Sequence, residues 1–316
     1  MTCHFKALKS LFYKLTLTCG LLLMTTNSWS AGSSDSAQSK QTTINGAIFN
    51  YQEQGDGAPV VFVHGCCSDY RAWDGQRKAI ASKYRFVAFN LRYHGTSPWS
   101  DDGSKYSIAT HVDDVAAFIQ SLNGGPVSLV GWSYSGPIMM LVALQHPELV
   151  RRIAVYEPTP GGFITDPEIL KSAGQDRQAM LGPAVAASKS GDLANVARLV
   201  PAGVNSQPDI FDHLPPEARS MFLDNARTVA LLVASPPPPP LSCDQLRQIT
   251  IPTLLSRGED TRAVFRLATD GAAACIANAK VVVLPGGRHL SMVQQPDAFN
   301  AMLMQFLSAV GSQVKN

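Results

Sequence analysis

Along most of the chain, short continuous apolar runs alternate with longer segments whose apolar residues recur every three or four positions. The runs are "PVVFVHG" (59–65), "YRFVAFN" (84–90), "PVSLVG" (126–131), "RRIAVYEP" (151–158), "IPTLLSRG" (251–258) and "KVVVLPGG" (280–287). An uninterrupted run of this length predicts a strand buried on both faces, because a half-exposed strand would alternate. In "SIATHVDDVAAFIQSL" the positions Val112, Val115, Ile119 and Leu122 predict one face of a helix, with Ser107 placed to cap it. Strands alternating with helices predict an α/β protein with a doubly wound, mostly parallel sheet.

Residues 161–240 break this rhythm. The segment is Ala-rich, shows no buried-strand run, and ends in five consecutive prolines at 236–240. Proline at such density is excluded from helix interiors and central strands and makes a stiff spacer. The expected organisation is therefore a sheet core over 44–160 and 241–316, interrupted by a helical cap over 161–240.

The N-terminus adds an export signal to this picture. Lys6, Lys9 and Lys14 precede the apolar stretch "LTLTCGLLLM", and small residues follow. That order matches a signal peptide over 1–30 with cleavage before Ala31, which predicts a periplasmic or secreted protein. The apolar stretch is too short to span a bilayer comfortably, so no stable membrane insertion is expected after cleavage. Residues 31–43, rich in Ser, Gln and Thr, read as a disordered leader.

The 316-residue chain is 45% hydrophobic and 16% charged, with a formal charge of +2. The first 30 residues hold three of the 26 basic groups and none of the 24 acids, leaving 23 against 24 and a formal −1. Such a balance gives no reason to expect a nucleic-acid partner. Export leaves Cys66, Cys67, Cys243 and Cys275 in an oxidising compartment. Cys243 and Cys275 flank one late segment and are expected to pair. Cys66 and Cys67 are neighbours, where a bridge is strained, and are expected to stay as thiols. The spacing gives no support for a zinc site.

The candidate chemistry lies in "VSLVGWSYSGPIMML" (127–141). A glycine, then a serine just past a buried strand, then small residues opening an apolar helix, describe a sharp strand-to-helix turn. Gly131, Ser135 and Gly136 supply the small residues, and Ser133 stands at the apex. Ser135 falls in the first helical turn, facing the packing contact, and is the weaker nucleophile candidate. A serine hydroxyl needs a neighbouring base. His289 lies just after the last apolar run and just before the terminal helix, in the chain order that this turn requires. His111, His146 and His213 lie on helices or in the cap. For an oxyanion, the backbone N–H groups of Tyr134 and Cys66 are the candidate donors. His64 reads as hydrogen-bonding its own loop.

Taken together, His64-Gly65, "NLRYHGTSPW" (90–99), Gly131-Trp132-Ser133-Tyr134-Ser135-Gly136, "RGED" (257–260) and "GGRH" (286–289) make the chain resemble an α/β-hydrolase of the serine ester-hydrolase type with a helical cap. The resemblance covers about 45–310. It implies a Ser-His-acid triad acting on a small-molecule substrate, with no metal or cofactor. Two positions depart from the family pattern. Serine stands at 135 where glycine is usual, and Thr261 occupies the usual aspartate position. Two carboxylates remain open as the acid: Asp260, beside Thr261, and Glu157, at the end of the strand that follows the serine helix. The expected reaction is cleavage of a carboxylic ester or related acyl compound. A C–C bond hydrolase or haloperoxidase-like activity on the same triad, and a ligand-binding protein without turnover, are the alternatives.

Overall fold

The structure is a computed structural model that describes residues 37–239 and 241–309. The expected signal segment, its cleavage site before Ala31 and the leader up to residue 36 lie outside the described residues. Among the described residues no helix is long and apolar enough to cross a membrane.

Eight strands form one sheet: β1 (Gln38–Ile44), β2 (Ala47–Gln54), β3 (Pro59–Val63), β4 (Arg85–Phe89), β5 (Val127–Trp132), β6 (Val150–Tyr156), β7 (Thr253–Gly258) and β8 (Ala279–Leu284). Their spatial order is β1-β2-β4-β3-β5-β6-β7-β8. β2 runs antiparallel to β1 and β4, and all pairs from β4 to β8 are parallel. In β3 every residue is buried, with Val61 and Val63 in the core on one face and Val60 and Phe62 in the core on the other. That two-sided burial is the reason the run has no polar alternation.

Helices cover both faces. α1 (Asp74–Ala81) precedes β4, α2 (Ile108–Ser121) follows it, and α3 (Ser135–Gln145) joins β5 to β6. The Ser107 hydroxyl accepts the Thr110 N–H at 3.0 Å and caps α2 as its sequence position implies. Between β6 and β7 the chain forms α4 (Pro167–Lys189), α5 (Leu193–Asn205), α6 (Ile210–His213), α7 (Pro216–Asn225) and α8 (Thr228–Ala234), with no strand. Next come α9 (Cys243–Leu246) before β7, α10 (Ala263–Cys275) before β8, and finally α11 (Ser291–Gln294) and α12 (Pro296–Ser308). Ala173 and Met180 of α4 pack on Val264 and Phe265 of α10, which seats the helical segment on the sheet domain.

Two elements differ from the sequence expectations. Residues 38–43, read from composition as part of a disordered leader, belong to β1. Its backbone pairs with β2 from Gln38↔Glu53 to Ile44↔Ala47. This is an edge strand that is mostly exposed, so ladder hydrogen bonds rather than apolar burial hold it, and polar composition conceals it. At the opposite edge, β8 is not buried on both faces: Val281 and Val283 are exposed. Only one neighbouring strand covers it, so its apolar run overstates its burial.

Cys243 and Cys275 form a disulfide, whereas Cys66 and Cys67 are free. The bridge ties the first residue of α9 to the last of α10, 32 positions apart. Closing a loop of that length in the unfolded chain is expected to contribute about 4 kcal/mol. The double variant C243S/C275S should therefore lose about that much unfolding free energy, read as a lower midpoint in equilibrium urea titrations. An unchanged midpoint would show that the bridge does not constrain the unfolded chain.

Candidate active site

The site is built at the C-terminal ends of β5, β6 and β7. β5 ends at Trp132, and Ser133 follows with φ +58°, in the left-handed region where non-glycine residues are strained. Close packing holds that conformation. A Cβ on Gly131 would lie 2.5 Å from Met139 Cγ, and one on Gly136 would lie 2.6 Å from Pro158 Cβ. Strand and helix therefore approach too closely for a larger residue at either position. Backbone bonds fix the turn further: Ser133 N–H donates to Tyr156 O at 3.0 Å, and Gly136 N–H donates to Ser133 O at 2.9 Å.

Ser133 and Ser135 have different surroundings. The Ser135 hydroxyl is fully buried, accepts the Trp132 N–H at 2.8 Å, and lies 2.8 Å from the Val63 carbonyl oxygen that it faces as donor. It links β3 to β5 and is engaged in structure. Ser133 instead lines a cavity of about 250 Å³ beneath the cap, together with Cys66 and Tyr134.

His289 lies on the loop between β8 and α11 and is buried. The Phe265 ring stacks on it, with centroids 3.8 Å apart and planes 10° from parallel. The Trp132 ring approaches it tilted at 5.2 Å, so the residue preceding Ser133 borders the imidazole. Its Nδ1 lies 2.6 Å from Oε2 of Glu157. An imidazole that donates Nδ1–H to a carboxylate presents Nε2 as its proton acceptor. Glu157 has no solvent exposure, and its Oε1 accepts the Gly258 N–H at 2.8 Å. Its own φ is +47°, a second left-handed residue at the end of a central strand. Gly258 in turn permits the loop to close: a Cβ there would lie 2.1 Å from Gly287 O.

The two carboxylates left open by the sequence occupy different places. Asp260 is half exposed at its side chain and faces Arg288 at 3.7 Å, not His289. Its backbone N–H holds Gly287 O at 2.9 Å, while the Glu259 side chain accepts the Gly286 N–H at 2.9 Å. "RGED" thus braces the histidine loop from outside, and Glu157 reaches the ring from within. The sequence reading missed Phe265 as a partner of His289; it lies 24 positions away in another element, and no local pattern marks it. It also missed Asn205 of α5, whose Oδ1 accepts the Leu290 N–H at 2.9 Å and ties the cap to that loop.

Cys66 and Tyr134, whose backbone N–H groups are the candidate oxyanion donors, line the same cavity as Ser133. Tyr134 is the N-cap of α3, at the end that carries the positive pole of the helix dipole. The loop of Cys66 passes close behind Ser133, since a Cβ on Gly65 would lie 3.2 Å from Ser133 Cβ. His64 anchors this loop. Its Nδ1 lies 2.7 Å from Gly65 O, and its Nε2 accepts the Leu91 N–H at 3.0 Å. Accepting at Nε2 requires a neutral ring. His94 and His111 are buried beside it, and His111 Nδ1 lies 3.1 Å from the Tyr134 hydroxyl.

Burial pushes His64 and His94 each down to about 3 and drives His111 well below the usual imidazole range. Between pH 6.5 and about 3 these rings take up protons only in the unfolded chain, so acidification through that window favours unfolding. Thermal unfolding followed by circular dichroism should show the midpoint falling steadily from about pH 6.5 to about pH 4. A flat profile there would mean that the histidines are solvated in the folded protein.

Residues 60–302 match the model of the alpha/beta hydrolase family. The chain is 26% identical over 281 residues to a 2-(acetamidomethylene)succinate hydrolase of Mesorhizobium japonicum, covering 87% of this chain and 97% of that one. Among solved structures it resembles a bromoperoxidase from Bacillus anthracis, with TM-score 0.68, 20% identity and coverage of 86% and 100%. It also resembles a thermophilic esterase from Thermogutta terrifontis, with TM-score 0.67, 20% identity and coverage of 86% and 98%. With this family match spanning most of the chain and this eight-stranded sheet, the protein belongs to the alpha/beta hydrolase family.

Proposed function

We propose that the protein is an exported serine hydrolase that cleaves a carboxylic ester or related acyl compound through Ser133, His289 and Glu157. The observation that carries this reading is the buried Glu157–His289 pair, whose ring meets Trp132, the residue before a serine held in the left-handed region. Ser133 Oγ attacks the acyl carbon while His289 Nε2 takes its proton. The carbonyl oxygen becomes an oxyanion held by the Cys66 and Tyr134 amides. Collapse breaks the bond to the leaving alkoxide, which takes the proton back from His289. Water then attacks the acyl-enzyme in the same manner, so one ester and one water give one acid and one alcohol. Glu157 fixes the ring tautomer and stabilises the imidazolium, and burial beside Phe265 strengthens that interaction by excluding water. Asp260 takes no part in these steps. The cavity size and the Mesorhizobium relative's activity support a small-molecule substrate. Export is favoured by the signal-like N-terminus and by the Cys243–Cys275 bridge, which an oxidising compartment would maintain.

Hydrolysis of short p-nitrophenyl esters by protein starting at Ala31 tests the reading. S133A should be silent and should lose labelling by a fluorophosphonate. E157Q should lower kcat on the order of a thousandfold, as expected when the imidazole loses its orienting charge. D260N, which alters only a half-exposed group, should change kcat by less than about threefold. Equal losses in E157Q and D260N would overturn the assignment of the acid. Ester turnover surviving in S133A would overturn that of the nucleophile.

A further inference from the structure

The cavity in front of Ser133 is apolar over most of its wall. Leu170, Met180, Leu181, Val204, Val264 and Phe265 contribute to it. Among the described residues lining it there is a single charged side chain, Arg177 of α4, and no carboxylate. Arg177 also lines a second groove that shares residues with this space; among the described residues lining that groove the second cation is Lys189, and there is no acid.

Arg177 is an exposed side chain where it borders the cavity. Among the described residues it enters no ion pair and donates no hydrogen bond. The adjacent carboxylate, Asp176, is engaged elsewhere: it pairs with Arg262, and its Oδ2 accepts the Val264 N–H at 3.0 Å. That engagement pins α4 to the start of α10, and the next side chain, Arg177, lines the cavity. Its charge is felt there. The Cys66 thiol, on the same wall as Ser133, is held below its usual range, chiefly by the hydrogen bond with Cys67 and, against burial, by the positive charge of Arg177.

We infer that Arg177 is a substrate-anchoring residue and that the substrate is an acyl compound carrying a free carboxylate besides its scissile bond. This rests on the hydrolase reading above and adds the charge of the substrate to it. A guanidinium presents paired N–H donors matched to the two carboxylate oxygens. The apolar wall takes the carbon chain between the two ends. Anchoring the far end at Arg177 places the other carbonyl against Ser133 and fixes its orientation, an effect a purely apolar pocket lacks. The adjoining basic groove draws anions toward the opening.

The test compares mono-(4-nitrophenyl) glutarate with its methyl ester, in which the carboxylate is capped. The native protein should favour the anion in kcat/KM by about tenfold or more, chiefly through KM. R177Q should abolish that preference, and R177K should restore part of it. Equal use of both esters by the native protein, or an equal loss on both in R177Q, overturns the assignment. Calorimetry separates this from the hydrolase reading. Hexanoate, but not hexanol, should bind S133A, and binding should be lost in S133A/R177Q. Should neither ester turn over while hexanoate binding depends on Arg177, the ester-hydrolase reading fails and the carboxylate site stands. Hexanoate failing to bind S133A, or binding S133A/R177Q as tightly as S133A, overturns the carboxylate site.

Discussion

The structure around the site depends on one close approach, that of β5 and α3 across the turn at Ser133. The turn works only if nothing larger than glycine stands at 131 and 136, because Met139 and Pro158 already fill the space a Cβ would need. This packing holds Ser133 at φ +58° and lifts its side chain out of the sheet into the cavity. It also places Tyr134, the N-cap of α3, directly after that side chain. A strained residue persists only where its surroundings over-determine it. Here the Ser135 hydroxyl, the Tyr156 carbonyl and the two glycines do so together.

Around that fixed point the charged and aromatic groups are arranged by burial. Glu157 has no contact with water, and its two oxygens meet the His289 ring and the Gly258 amide. A carboxylate so placed would be costly without both partners. His289 is confined by Phe265 and Trp132, so the ring orientation proposed for proton transfer is set by packing as well as by its hydrogen bond. Phe265 serves twice, since it also contributes to the cavity and packs against the cap helix α4. The cap therefore bears on the proposed base as well as on the substrate space. Asn205 adds a direct link, from the cap to the loop that carries His289.

The cap brings the cavity its only charge among the described residues. Among the described residues Arg177 enters no ion pair, and Asp176, its neighbour in sequence, is turned toward Arg262 and the start of α10. Of these two adjacent charged residues, one seats the cap and the other lines the cavity. Pro236 and Pro238, from the stretch expected to be a stiff spacer, form part of the cavity wall as well. The segment that looked like a connection is also a lining.

Much of this was legible in the chain. The six apolar runs coincide with β3 to β8 because strands buried on both faces must be continuously apolar. The turn at Ser133 was legible because its glycines and small residues must be local in sequence. β1 was hidden because edge pairing is made by backbone and leaves composition free. The choice between Asp260 and Glu157 could not be read locally, since both follow strands that end near His289. It is decided by direction: Asp260 points outward toward Arg288, while Glu157, at φ +47°, turns its side chain inward. Sequence by itself determined strands β3 to β8, the turn and the serine and histidine candidates, because each depends on neighbours in the chain. Only the tertiary structure decided which carboxylate meets the ring, which aromatics confine it and which charge faces the cavity. Those contacts join residues from separate elements, and their geometry is set by how strands, loops and cap pack against one another.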